Sequence, residues 1–339
     1  MPVTHNPQDF NKLIDLTPEV NQIDRQFSIF EDSLFDMRPT TQTAILFDIN
    51  STTTTLLPAA ERGSRGSTYG KDDIVETRAL PLAYFKHSDT VTQEDILGVR
   101  QSGTADGMRQ VDVAIAEKLA KMRRQADQTS EYLKLKAVAE GKCVSPDGQV
   151  FADMFAEFGI ARTNVSLDVA NGTADMHAKL RQIKRQIRDN LKNGGIMSGY
   201  DLYLAPDLYE AFITHASMKE SYKYYAAQQT PLRDDVTDSF RTGGVNIISL
   251  DGSFKLPTGS TVDLVASDTG FVVPRVQGLF RGYYGPSSKL SRTHRDGAVE
   301  PMYAFSYDDG RDEAVEMTIE MAPLVFPTEV ACLLSVSAA

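Results

Sequence analysis

Four carboxylates lie close together in the segment Tyr307-Asp-Asp-Gly-Arg-Asp-Glu313. Such a cluster could attract a hard cation, because Ca²⁺ and Mg²⁺ bind oxygen ligands. The segment lacks the alternating oxygen ligands and the terminal glutamate of an EF-hand loop. The pattern therefore favours a solvated turn, and a metal-dependent hydrolase that uses this turn is kept as an alternative.

The chain contains partial matches to motifs for nucleophilic catalysis and phosphoryl transfer, but each lacks a required residue. Gly63-Ser-Arg-Gly66 is not the Gly-x-Ser-x-Gly elbow, which belongs on a strand-to-helix turn. Thr293-His-Arg-Asp296 imitates a kinase catalytic loop, yet the position five residues after Asp296 is Pro301 where a kinase has Asn. No Gly-x-x-x-x-Gly-Lys-Ser/Thr loop occurs. We therefore predict no catalytic residue.

The histidines and cysteines show no metal-ligand spacing, since neither His-x-x-x-His nor Cys-x-x-Cys occurs. We expect each histidine to be a surface or core residue, and Cys143 and Cys332 to be buried free thiols. No metal, no cofactor and no enzymatic activity are predicted. The histidines are His5, His87, His177, His215 and His294.

One basic cluster stands out, formed by Lys118, Lys121, Arg123 and Arg124. Acidic residues flank it, so a solvated helix face is one interpretation, and a face turned toward an acidic neighbour or enclosed DNA is the other. The net charge of -11 disfavours an ordinary nucleic-acid binder, because affinity for phosphate comes from clustered Lys and Arg. A protein that merely encloses DNA has no such need.

The element that must carry this basic cluster is a long helix. From Met108 to Glu140 there is no Gly and no Pro, and apolar residues recur at steps of three or four. Gly141 is predicted to end the helix, and the segment from Val144 to Val150 to form a tight hairpin turned by Asp147-Gly148.

The region before this helix has little apolar periodicity. Residues 1–40 form an arm with one apolar stretch, Phe27 to Phe35, which we expect to fold against a partner or against the body. Strands are predicted over residues 44–50 and 73–87, joined by a glycine-rich tip at residues 61–70. An isolated hairpin is marginal in water, so this one should lie on another surface.

Compact α/β material follows the helix. Amphipathic helices are predicted over residues 151–158 and 174–193, strand and helix alternate from Tyr200 to about Gly310, and the tail from Val315 to Val336 is mostly strand. A signal peptide and a membrane span are not predicted, so we expect a soluble protein made in the cytoplasm.

Short segments in a fixed order resemble the lambda-type tailed-phage major capsid protein family, major capsid protein E. They span nearly the whole chain and begin with Arg62-Gly-Ser-Arg-Gly66, Leu80-Pro-Leu82 and His87. The remaining segments are Thr92 to Arg100, Thr129-Ser-Glu131 with Ala137 and Gly141, Asp147-Gly148, Asp153-Met-Phe155, Phe240-Arg-Thr-Gly-Gly244 and Met321 to Val330.

The resemblance implies the α+β tailed-phage capsid fold. In that fold an N-terminal arm and an extended hairpin, the E-loop, reach over adjacent subunits, a long spine helix lies in a peripheral P-domain, and an α/β A-domain surrounds the symmetry axes. The expected boundaries are 1–45 for the arm, 46–90 for the E-loop, 91–174 and 306–339 for the P-domain with its spine helix at 107–140, and 175–305 for the A-domain. The tail strands are expected to return to the P-domain.

The resemblance also implies function. The chain is expected to self-assemble as hexamers and pentamers into an icosahedral shell that encloses double-stranded DNA, in a virion assembled in the bacterial cytoplasm. Expected partners are a separate scaffold protein, a portal protein and a decoration protein, with no membrane. The expected assembly contacts are at the E-loop tip, at Arg62, Gly63, Arg65, Gly66 and Gly70. A cellular nanocompartment shell that encloses cargo enzymes stays an alternative.

Overall fold

The computed structural model describes residues 14–25, 28–50, 75–97, 111–191, 197–219, 239–289, 292, 299–308 and 313–339. These residues form helices and several small sheets, so the α+β class is confirmed. The α-helices are α1 (Thr17–Gln22), α2 (Val111–Glu140), α3 (Met154–Phe158), α4 (Met176–Asn190) and α5 (Pro206–Thr214), with 3-10 turns at Asp32–Leu34, Gln93–Asp95 and Val330–Cys332.

Helix α2 is the predicted spine. Its 30 described residues span about 45 Å at 1.5 Å per residue. Residues 107–110, where the predicted helix begins, lie outside the described part. The predicted end is confirmed, because Gly141 adopts a φ of +67° and its N–H still donates to Ala137 O at 3.1 Å. A Cβ at this position would lie 2.8 Å from the ring of Phe155, so only glycine fits.

The strands of the described residues belong to six sheets. They are β1 (Ile14–Asp15), β2 (Phe35–Pro39), β3 (Ala44–Asn50), β4 (Val75–Pro81), β5 (Phe85–Thr92), β6 (Lys142–Val144), β7 (Val150–Asp153), β8 (Asn164–Ser166), β9 (Met197–Leu204), β10 (Ser239–Thr242), β11 (Val245–Ser249), β12 (Ser253–Lys255), β13 (Thr261–Asp263), β14 (Thr269–Val276), β15 (Phe280–Tyr284), β16 (Tyr303–Asp308), β17 (Ala314–Met321), β18 (Pro323–Pro327) and β19 (Ser335–Ser337). The largest sheet has the order β10-β11-β9-β14-β19-β8, the next β1-β16-β17-β5 and the third β18-β15-β2, and β3-β4, β6-β7 and β12-β13 form pairs.

Both faces of the six-stranded sheet are covered. Successive side chains of a strand point to opposite faces. In β9, Tyr200 and Leu202 pack under helices α4 and α5, whereas Tyr203 faces a second core that includes Phe30 and the C-terminal half of α2. A third core joins the N-terminal half of α2 to the four-stranded sheet. The three cores together tie the spine to both large sheets.

The apolar stretch in the N-terminal segment folds against the body. Phe30 and Phe35 are both buried in the core, and the Phe30 ring lies 5.6 Å from that of Tyr203. The chain reaches this position through the 3-10 turn Asp32–Leu34 and then enters β2, which pairs with β15. The sequence predicts that this stretch folds either against a partner or against its own subunit. The described residues show that it packs on its own subunit.

Two predicted elements are divided differently in the structure. The strand predicted over residues 73–87 breaks at Leu82 to Tyr84, and the part after the break, β5, pairs with β17 in another sheet. The helix predicted over residues 151–158 begins only at Met154, because the preceding residues form β7 and Asp153 caps α3 by accepting from Ala156 N at 3.2 Å. The pattern of apolar residues does not show where one element ends and the next, which packs elsewhere, begins.

The tail strands lie in different sheets, and their expected return to the P-domain stays a prediction. β17 lies in the four-stranded sheet and β18 contacts α2. β19, however, lies between β14 and β8 in the six-stranded sheet, where Val336 is buried. The chain's end thus stabilises the same sheet that α4 and α5 cover.

Candidate assembly surfaces

The residues that could carry chemistry do not meet in a described site. The acidic turn joins β16 to β17, but residues 309–312 lie outside the described part, as do Gly63 to Gly66 and Thr293 to Asp296. Among the described residues, no group of three or more His, Cys, Asp or Glu could hold a metal ion. Nor does any described helix combine the length and apolar character of a membrane span.

The described histidines fit the structural interpretation. His215 is buried, with Nδ1 2.9 Å from Ser217 Oγ and Nε2 3.0 Å from the Asn171 carbonyl oxygen, so both ring nitrogens have partners. His87 is exposed on β5 and His177 lies in the first turn of α4. His5 and His294 lie outside the described residues.

The prediction of buried free thiols is confirmed for both cysteines. Cys143 and Cys332 are fully buried and lie in different cores. Burial raises the pKa of the Cys143 thiol to about 11 and that of Cys332 to about 12, because the thiolate would lose its hydration. Neither thiol is poised as a nucleophile at neutral pH.

The basic cluster of the spine divides into two pairs. Lys118 donates to Asp95 Oδ2 at 2.9 Å, and Arg123 donates to Asp127 Oδ2 at 3.1 Å and to the Val20 carbonyl oxygen at 3.1 Å. These two cations therefore hold the spine to the four-stranded sheet and to α1. Lys121 and Arg124, by contrast, are exposed and remain available to an acidic neighbour.

The hairpin β3-β4 has one covered and one open face. On its inner face Leu80 is buried and the Phe47 ring lies 5.8 Å from that of Phe158 and 5.5 Å from that of Phe326. On its outer face Leu46 pairs with Ala79, and Leu46 is 67% exposed. The base of the hairpin thus lies on its own subunit and presents an apolar side chain outward.

The predicted contact residues at the hairpin tip, Arg62, Gly63, Arg65, Gly66 and Gly70, lie outside the described residues. Their role stays a prediction. The described hairpin base shows only where the two strands that lead to the tip begin and end.

A buried carboxylate on the spine holds the N-terminal segment in place. Glu131, which is 1% exposed, accepts hydrogen bonds from Arg25 at 2.8 Å, from Lys134 at 2.9 Å and from the backbone N–H of Ile29 at 2.9 Å. Partial burial raises the pKa of Asp32, but the hydrogen bond and charge of Arg25, together with Lys134, bring that pKa below its usual value. The sequence pattern does not distinguish Glu131 from the other acidic residues that flank the basic cluster.

An open groove runs beside the spine. It has a volume of about 660 Å³ and lies between α2, the ends of β5 and β17, and the segment from Ser253 to Pro257. Its apolar surface includes Met122, Tyr132 and Phe254, and the rings of Tyr132 and Phe254 stand edge to face at 5.6 Å. The exposed side chains of Gln125 and Gln128 line its α2 side. Its lining also includes Lys86, His87, Lys255 and Glu320, so the groove combines apolar and charged surface.

Known proteins share this fold and sequence over almost their full length. The phage major capsid protein E family matches residues 12–338. The major capsid protein of Salmonella phage Felix O1 is 29% identical over an alignment of 358 positions that covers 96% of each chain. Among solved structures, a prophage protein of E. coli CFT073 with a provisional capsid assignment is 12% identical and superposes with a TM-score of 0.62 over 96% of this chain and 100% of that one. The mature capsid of bacteriophage PhiM1 gives a TM-score of 0.50 at 12% identity, over 93% and 89% of the two chains.

These matches define a structural protein with the tailed-phage capsid fold, and not an enzyme. The chain belongs to the phage major capsid protein E family. It is a major capsid protein of a tailed phage, a self-associating subunit of the virion shell.

Proposed function

We propose that copies of this chain assemble as hexamers and pentamers into an icosahedral head that encloses double-stranded DNA without reading its sequence. In a closed shell each copy offers the same two complementary surfaces to its neighbours. The observation that carries the proposal is that one subunit presents both an exposed apolar side chain on its hairpin, Leu46, and an open groove beside its spine.

The hairpin supplies one of these surfaces. Leu46 stands on its outer face beside the exposed Ala79, and the inner face is already occupied by the subunit's own core. A two-stranded ribbon with one uncovered apolar face gains stability when another surface buries that face. A neighbouring copy offers the matching surface in the groove beside the spine.

The spine groove supplies the other surface. Its apolar side chains, Met122, Tyr132 and Phe254, lie on elements that belong to rigid cores, so the groove is preformed. We propose that the hairpin of one copy lies along this groove of the next. The tip residues Arg62 and Arg65 then reach carboxylates of that neighbour, while Gly63, Gly66 and Gly70 let the tip change angle as a precursor shell expands.

We further propose the arm, E-loop, P-domain and A-domain boundaries given above, with two changes. β5 joins the P-domain because it pairs with β17, and β8 and β19 join the A-domain because both lie in the six-stranded sheet. Assembly in the host cytoplasm with a separate scaffold protein, a portal and a decoration protein completes the proposal.

The test is Leu46→Glu, which puts a carboxylate on the outer hairpin face. Because Leu46 is 67% exposed, the isolated subunit should keep its fold and its melting temperature. Shell formation, followed by light scattering and electron microscopy, should be lost because the carboxylate would lose its hydration against Met122, Tyr132 and Phe254 of the groove.

The matched control is Leu97→Glu, since Leu97 is 58% exposed and lies outside both the hairpin and the groove. This variant should form shells as the unmodified chain does. Closed shells of Leu46→Glu at normal yield would contradict the proposed role of the hairpin.

A further inference from the structure

The outer face of helix α4 is cationic. Its inner face is an apolar stripe that includes Leu180, Ile183 and Ile187, all buried under the six-stranded sheet. Its outer face carries Arg181, Lys184, Arg185 and Arg188 against one exposed carboxylate, Asp189. This face is positive on a chain whose net charge is -11.

The cations of this face are not used within the described part of the subunit. Of these four cations only Arg181 forms an ion pair with a described residue, Asp175 at 3.4 Å, and both side chains are more than half exposed. Arg185 and Arg188 make no ion pair with any described residue and are exposed. Lys118 and Arg123 on the spine differ, because internal partners bind them.

Helices α4 and α5 cover opposite ends of one sheet face. At one end, Lys179 of α4 donates to the Ser166 carbonyl oxygen of β8 at 2.9 Å, and β8 is an edge strand. At the other end, α5 packs against β11, which lies next to the opposite edge strand, β10. The exposed ionic side chains of α5 are Asp207 and Glu210. One layer of the subunit is thus positive at one end and negative at the other.

We infer that the cationic face of α4 binds the acidic face of α5 on the adjacent copy. A head-to-tail contact between two different faces closes into a ring when the rotation from one copy to the next divides a full turn. Copies that each carry a net charge of -11 repel one another, and a contact that places cations against carboxylates offsets part of this repulsion. The inference rests on the proposed assembly into rings and names one of the surfaces that joins the copies.

The test uses two oppositely reversed variants, Arg185→Glu/Arg188→Glu and Asp207→Lys/Glu210→Lys. Each variant alone places like charges across the contact, and should raise the protein concentration needed for assembly at low salt at least tenfold. In a mixture of the two, each reversed face meets an opposite charge when the variants alternate around the ring. An equimolar mixture should therefore restore hexamers, which have an even number of copies.

Two further variants act as controls. Arg185→Lys/Arg188→Lys keeps the charge and should assemble as the unmodified chain does. The chain that carries all four reversals should also assemble, because both partners of each contact are reversed together. Thermal melting of each variant checks that the subunit stays folded.

Normal assembly of Arg185→Glu/Arg188→Glu would overturn the inference. So would shells of that variant that form at normal yield but retain less DNA, because the face would then meet phosphates instead of a second copy. Failure of the equimolar mixture to assemble, with both variants folded, would also overturn it. If the unmodified chain forms no rings or shells, the proposed function fails as a whole, which is a distinguishable result.

Discussion

Replacing Glu131 by alanine removes the acceptor that joins the N-terminal segment to the spine. The carboxylate binds Arg25, Lys134 and the backbone N–H of Ile29. Without it, the Lys134 ammonium stays buried over the ring of Phe35 at 5.3 Å, with only Asp32 at 3.7 Å for an anionic partner. The Ile29 N–H loses its acceptor as well.

The expected cost follows from this geometry. Breaking a buried ion pair by removing one partner costs about 3–5 kcal/mol, because the other charge is left uncompensated. Arg25 is 25% exposed and keeps its ion pair with Asp32 at 2.6 Å, so solvent and Asp32 offset part of the lost interaction with Glu131. We therefore expect a loss at the lower end of this range, about 3 kcal/mol. Unfolding entropies near 2.1 cal/mol/K per residue then give a fall of about 4 °C in Tm for 339 residues.

Differential scanning calorimetry of the unassembled subunit measures this change. Glu140→Ala on the same helix is the matched control, because Glu140 pairs with Lys136 at the surface and its side chain is 41% exposed. The control should shift Tm by less than about 1 °C, as exposed pairs contribute little. Limited proteolysis should also cut Glu131→Ala faster near Arg25. Equal Tm values for the two variants would refute the proposed stabilising role of the buried Glu131 carboxylate.

Two further predictions concern the hairpin tip and the sheet. Deleting Arg62 through Gly70 should leave a folded subunit by circular dichroism that closes no shells by electron microscopy, and normal particles would contradict the role of the tip. Gly270→Ala places a Cβ 2.5 Å from the Tyr203 carbonyl oxygen and should lower the free energy of unfolding by about 1–3 kcal/mol in urea denaturation, whereas Gly172→Ala, which meets no atom within 4 Å, should be nearly neutral.

The elements that the sequence predicts well are those with local causes. The spine follows from an uninterrupted period near 3.6 residues and ends where Gly141 takes a positive φ. The β6-β7 hairpin follows from Asp147-Gly148, with Gly148 at a φ of +90°. In each case the deciding residues are neighbours in the chain, so their pattern carries the information.

Long-range partners could not be predicted in this way. β5 pairs with β17, in the register that places His87 opposite Ile319, and β19 enters a sheet with β8 and β14. The two halves of residues 73–87 have similar β-prone residues, although the first half pairs with β3 and the second with β17. Residue type alone does not tell one partner strand from another. The break at Leu82 to Tyr84 is therefore set by packing.

The partners of charged side chains could not be predicted from the sequence either. Lys118, Lys121, Arg123 and Arg124 form one cluster in sequence, yet distant groups such as Asp95 and the Val20 carbonyl oxygen bind two of them. Glu131 has ordinary charged neighbours in sequence and becomes the most completely bonded carboxylate of the spine only because the N-terminal segment folds onto it. Such contacts depend on the tertiary fold and carry no local signature.

Negative-stain electron microscopy with light scattering on the unmodified chain, expressed alone and with a co-encoded scaffold protein, tests the central claim most directly. The proposed function predicts closed shells, or rings of six and five copies, in at least one of these two conditions. A stable monomer or dimer in both conditions would contradict it.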